Sequence, residues 1–162
     1  MGELRFGSTE EQVKMSELKK QVMQKIDDCN SLIEKIPGTA HGFAKGTTTR
    51  FYGLIKEIED VYEKMKAAGE LKKTDIGPGL VLNSLKYRFT VEQFKWLLEN
   101  KTTADFKKTC LDFDNGDFGV KTQALDKANE VLKKVFGNAV PALEKSQMDK
   151  ILGDKGVETL LK

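Results

Sequence analysis

A run of apolar residues near the N-terminus does most to limit the fold. Its members recur at three- and four-residue steps: Val13, Leu18, Val22, Ile26, Cys29, Ile33 and Ile36. This spacing is typical of one face of an amphipathic α-helix. Capping residues at Ser8 or Thr9 predict its start, and Pro37 predicts its end. The result is a helix over about 9–36, about 40 Å long at ~1.5 Å per residue, which is long for a compact domain.

A second amphipathic helix follows a glycine-rich segment, PGTAHGFAKG, which holds the only histidine, His41. It is predicted over about 47–68, and its apolar face consists of Phe51, Leu54, Ile55, Ile58, Val61, Tyr62 and Met65. Two long helices joined by about ten residues indicate an antiparallel hairpin.

The rest of the chain, about 80–161, predicts shorter helices separated by turn residues. They are expected at 80–88, 91–99, 104–111, 120–136, 140–152 and 157–161. No segment alternates apolar and polar residues, so no sheet is predicted. The fold class is therefore all-α, a helical bundle in which the hairpin packs with a cluster of shorter helices.

The length of 162 residues predicts one all-α domain over 1–162, because a chain of this size buries roughly 70% of its unfolded surface. A subdivision near 77–79, Gly-Pro-Gly, would give a helical hairpin over 1–76 and a short-helix cluster over 80–162.

Composition names no partner by itself, since the net charge is +2. No apolar run approaches the ~20 residues that a membrane span needs, so we expect a soluble protein without membrane insertion. Cys29 and Cys110 fit small buried apolar side chains, although a single disulfide is an alternative. The location is left open, with the reducing cytoplasm as the default. No residue set predicts a cofactor or a catalytic site.

The segment DFDNGDFG, residues 112–119, places Asp112, Asp114 and Asp117 close together in the sequence. It resembles the calcium loop of EF-hand proteins over about ten residues, and a calcium-binding helical protein is one hypothesis. In each register the final bidentate Glu is missing. The alternative is a helix–helix turn, in which Asn115-Gly116 adopts left-handed angles, Asp117 caps the next helix, and both phenylalanines enter the core.

The segment KYRFTVEQFKW, residues 86–96, combines basic and aromatic side chains. The region 71–110 that contains it carries 8 basic and 4 acidic residues. Such a combination is found in nucleic-acid sites and at protein interfaces. The candidate interface residues are Lys86, Tyr87, Arg88, Lys95 and Trp96.

These observations favour a non-enzymatic helical interaction or scaffold module that binds another protein or a second copy of itself. The main reason is that the first helix is longer than a small domain needs, so its apolar face can extend to another chain. A nucleic-acid-binding protein that uses region 71–110 is the alternative.

Overall fold

The structure, a computed structural model, describes residues 9–36, 46–71, 77–99 and 105–155, and these ranges contain six α-helices and adjoining turns. They are α1 Thr9–Lys35, α2 Thr47–Ala67, α3 Gly77–Glu99, α4 Asp105–Asn115, α5 Phe118–Phe136 and α6 Lys145–Lys155. These ranges contain no strand. The predicted all-α bundle is confirmed.

The hairpin of α1 and α2 is antiparallel, as predicted. Lys25 of α1 forms an ion pair with Glu57 of α2, with 2.6 Å between Nζ and Oε1. Val22, which precedes Lys25 in α1, lines the same groove as Met65, which follows Glu57 in α2, so the two helices run in opposite directions. Sixteen residues of α1 precede Lys25, whereas ten residues of α2 follow Glu57. At ~1.5 Å per residue, α1 therefore extends about 9 Å past the C-terminal end of α2.

One continuous helix, α3, occupies the region where two short helices were predicted. That prediction was wrong because Thr90 does not cap a new helix. Its hydroxyl donates to the carbonyl of Lys86 over 2.8 Å, inside the helix. The helix begins at Gly77, with Pro78 in its first turn, where a missing N–H removes no helical hydrogen bond. It lies beside α1, and the guanidinium of Arg88 donates to the side chain of Asn30.

The helices enclose two clusters of buried apolar residues, and α3 contributes to both. The hairpin cluster joins α1, α2 and the first half of α3, where Phe51 stacks on Phe89 with 3.9 Å between ring centroids. The second-half cluster joins the rest of α3 to α4, α5 and α6, where Phe94 meets Phe106 edge-on. Tyr52 packs against both clusters. The division of the chain into domains stays a prediction.

The helix predicted over 140–152 was wrong at its start, because the segment between α5 and α6 is not helical up to Glu144. The side-chain amide of Asn129 holds Leu143 through two bonds, accepting from its N–H at 2.7 Å and donating to its C=O at 3.1 Å. Leu143 is thereby kept out of a helix, and α6 begins only after Glu144. The N–H of Glu144 donates to Oε1 of Gln147 over 2.7 Å, a capping contact at the start of α6. The helix predicted over 157–161 lies outside the described residues.

Candidate functional site

The aspartates of DFDNGDFG end one helix and begin the next. Asp112 lies within α4, where its Oδ2 accepts from Nζ of Lys108 over 3.0 Å. Asp114 is exposed in the last turn of α4. Asp117 caps α5, because its Oδ1 accepts from the N–H of Val120 over 3.0 Å. The predicted cap is confirmed. Across the described ranges, no three His, Cys, Asp or Glu residues come together as metal ligands.

The two phenylalanines of this segment differ in burial. Phe113 is buried in the second-half cluster. Phe118 is 73% exposed, so its predicted place in the core was wrong. As the first residue of α5 it lies on the surface, where Nζ of Lys145 is 5.0 Å from its ring centroid.

The left-handed backbone angles predicted for Gly116 are also not observed. The glycines with positive φ in the described residues are Gly46, Gly69 and Gly137, so Gly116 is not left-handed. A Cβ atom at Gly116 would lie 2.5 Å from the carbonyl oxygen of Asp112 and 2.5 Å from Cγ1 of Val120. The close approach of α4 and α5 is what requires a glycine here.

Two of the five candidate interface residues, Lys86 and Tyr87, line a cleft of about 430 Å³ between α3 and the start of α6. Lys150 of α6 places its Nζ 4.9 Å from the centroid of the Tyr87 ring. The ring therefore already has a cation over its face.

The other three candidates do not line this cleft. At ~100° per residue, Arg88 is about 200° around the helix from Lys86. Arg88 and Lys95 instead line a recess of about 300 Å³ beside Ile33 of α1, which Tyr87 also borders, and Nζ of Lys95 lies 3.7 Å from Oε2 of Glu92. Trp96 is half-buried, with its ring edge-on to Phe136. The structure therefore divides the other four candidates between two concavities, with Tyr87 bordering both.

The cysteines are free and buried, as the sequence analysis favoured. Cys29 belongs to the hairpin cluster and Cys110 to the second-half cluster. Burial raises the pKa of the Cys29 thiol to about 11 and that of Cys110 to about 12. At neutral pH both remain thiols, which are poor nucleophiles.

An apolar groove opens where α1, the end of α2 and the start of α3 meet. We call it the end groove, and its volume is about 560 Å³. Its lining includes Val22, Met23, Ile26, Tyr62, Met65 and Val81. Lys19 lies at its edge, and Leu71 and Pro78 border it where the chain passes from α2 to α3. Burial against these neighbours raises the pKa of the Tyr62 hydroxyl.

A large apolar side chain of this lining remains exposed, since Met23 is 57% exposed. Leu80 precedes Val81 in α3 and is 61% exposed, but it does not line the groove. Among the described residues that line the groove, Lys19 carries the one charged side chain. Beside Tyr62 and Met65, α2 carries Glu63 as well as Lys64 and Lys66. The end groove therefore has an apolar lining with a single cation at its edge.

The sequence analysis did not predict the end groove, although the sequence contains two signals of it. Met23 follows Val22 directly, so the two lie about 100° apart on the helix and cannot share the narrow buried stripe of α1. Leu80, Val81 and Leu82 are three consecutive apolar residues, which one helix face cannot cover. Both signals indicate apolar surface beyond what the hairpin buries.

No protein-family model, curated protein or solved structure matches the chain. None of the helices in the described ranges combines the length and the apolar character that a bilayer span requires.

Proposed function

We propose that the protein is a non-enzymatic helical interaction module, and that the end groove is its binding surface. The observation that carries the proposal is the exposure of Met23 in an apolar groove that α1, α2 and α3 form together. Exposed apolar surface of this kind marks interaction sites in soluble domains.

The shape and charge of the groove define the partner. It runs between helices, a geometry that accepts the apolar face of an amphipathic helix. Lys19 at its edge favours a partner helix with acidic residues beside its apolar stripe. The partner class is therefore an acidic amphipathic helix.

Two further observations support a non-enzymatic role. Both thiols are buried and have raised pKa values, and the described residues that line the end groove include no Asp, Glu or His. A groove of this composition offers mainly apolar packing, with Lys19 and Tyr62 as its titratable groups.

The test uses a fluorescently labelled synthetic peptide with leucine on one helical face and glutamate on the others. Fluorescence anisotropy should show micromolar binding to the wild-type protein. Met23→Glu should weaken it by roughly tenfold or more, because it places a carboxylate in the apolar lining and repels the acidic peptide.

Phe118→Glu is the matched control, because Phe118 is another exposed apolar residue that does not line the groove. It should leave peptide affinity unchanged. A scrambled peptide of the same composition, which has no apolar face, should not bind. Equal binding to wild type and Met23→Glu, or no binding at all, would overturn the proposal.

A further inference from the structure

The cleft between α3 and the start of α6 differs in composition from the end groove. Its lining carries two lysines, Lys86 of α3 and Lys150 of α6, and the side chains of Asn83 and Ser146 add an amide and a hydroxyl. Ammonium groups, side-chain amides and hydroxyls all donate hydrogen bonds. Two separate helices therefore present donors and positive charge to one concave space of about 430 Å³.

Both lysines of this cleft are without an ionic partner in the described parts of the chain. The ion pairs found there use Lys25, Lys95 and Lys108. Lys150 instead places its Nζ 4.9 Å from the centroid of the Tyr87 ring, and the ring carries no negative charge. The two ammonium groups therefore remain available to an anion that enters the cleft.

One acid, Glu144, is also among the described residues that line the cleft. Its main chain starts α6, because its C=O accepts from the N–H groups of Gln147 and Met148. Its side chain is exposed and forms no ion pair with either lysine of the cleft. The described lining thus has two positive charges and one negative charge, so its net charge favours an anionic ligand.

Contacts inside the fold hold the lining of the cleft in place. Asn129 of α5 fixes Leu143 through two hydrogen bonds of 2.7 and 3.1 Å, and Ile151 of α6 is buried in the second-half cluster. On α3, the hydroxyl of Thr90 donates to the C=O of Lys86 over 2.8 Å. Leu143, Ile151 and Thr90 all line the cleft. The cleft is therefore formed before any ligand binds, as is usual for small-molecule sites.

We propose that this cleft is a binding site for a small phosphate monoester. The phosphate group contacts the ammonium groups of Lys86 and Lys150, since lysine binds phosphate as a point charge. The organic group packs on the apolar side chains of Leu143 and Ile151. The volume of the cleft lies within the range of roughly 300–1,000 Å³ that is typical of small-molecule sites, and a phosphate ion alone would not fill it.

Phenyl phosphate is the probe, because it joins a phosphate to one small apolar ring. A titration followed by heteronuclear NMR should give a Kd on the order of 0.1–1 mM, since exposed charges contribute modestly. The amide signals that shift should belong to residues 83–90 and 143–151, which border the cleft. Inorganic phosphate lacks the ring and benzyl alcohol lacks the charge, so each should bind roughly fivefold more weakly or worse.

Neutral variants test the charged residues. Lys86→Gln and Lys150→Gln should each weaken phenyl phosphate binding by about two- to fivefold, because each removes one cation beside the phosphate. Lys95→Gln is the matched control, since Lys95 lies on the same helix as Lys86 but does not line the cleft. Glu144→Gln should strengthen binding by about twofold, because it removes the acid of the lining. Asp149→Asn, on α6 but outside the lining, should leave the affinity unchanged.

Circular dichroism checks that each variant is folded. Equal affinity for phenyl phosphate and inorganic phosphate would indicate an adventitious ion only and would overturn the proposal. The same holds for absence of binding, for shifts centred away from the cleft, and for equal losses in Lys86→Gln and Lys95→Gln. Met23→Glu alters the end groove and should bind phenyl phosphate as the wild type does, so the two sites are tested independently.

Discussion

Gly116 shows how one residue fixes the path between two helices. It follows α4 directly, and the space where a Cβ would stand is occupied by the carbonyl of Asp112 and the side chain of Val120. One of these neighbours is main chain, which cannot move without shifting the end of α4. The turn from α4 to α5 therefore depends on the missing side chain.

Replacing Gly116 tests this. Gly116→Ala should lower the free energy of unfolding by about 1–3 kcal/mol, because a clash with packed neighbours must be relieved. Gly53→Ala is the control, since Gly53 lies within α2 and a Cβ there meets nothing within 4 Å. It should raise stability by about 0.5–1 kcal/mol. Urea unfolding of both variants measures the difference, and equal effects would contradict the close approach.

Local patterns predicted some residues of this segment and not others. The cap at Asp117 is a contact with a backbone N–H only three residues away. Local sequence is therefore enough to predict it. The burial of Phe113 and the exposure of Phe118 depend on how α4 and α5 pack, and sequence spacing does not contain that information.

At the scale of a single helix, the side chain of Asp117 caps the N-terminus of α5. Asp117→Ala should destabilise the protein by about 1 kcal/mol, because it removes the acceptor of the Val120 N–H and a negative charge at the helix N-terminus. Asp114→Ala, at an exposed position in the last turn of α4, should change stability by less than about 0.5 kcal/mol. Equal unfolding midpoints in urea for the two variants would count against the cap.

Among the helices, α1 and α2 were predicted within one or two residues because each has a single apolar stripe and clear end signals. The continuity of α3 was not predicted. Its first half faces the hairpin cluster and its second half faces the other, so its apolar positions follow no single stripe. Thr90 resembles a cap in the sequence, but packing on both sides keeps the helix intact.

The whole molecule should lose stability at alkaline pH. The pKa of Cys110 is raised from 9.0 to about 12, chiefly by burial and further by Asp114, and burial raises the pKa of Tyr52 from 10.0 to about 12. The unfolded chain therefore loses these protons at lower pH than the folded protein does. Stability decreases as pH rises above about 9, at up to ~1.4 kcal/mol per pH unit for each group.

Cys110→Ala isolates one contribution. Between about pH 9 and pH 10, the variant should lose about 1 kcal/mol less than the wild type, because it has one buried thiol fewer to ionise on unfolding. Urea unfolding in the presence of a reductant measures the two pH profiles. Parallel profiles would show that Cys110 ionises equally easily in both states.

At the scale of the whole molecule, the helical spacing of apolar residues was enough to predict the all-α class, but it was not enough to predict the end groove. It lies where three helices meet, and its existence depends on the relative placement of α1, α2 and α3. The sequence contained the exposed residues without the geometry that groups them. Lys86 and Arg88 show the converse, since they are two residues apart in the sequence and lie about 200° apart around α3.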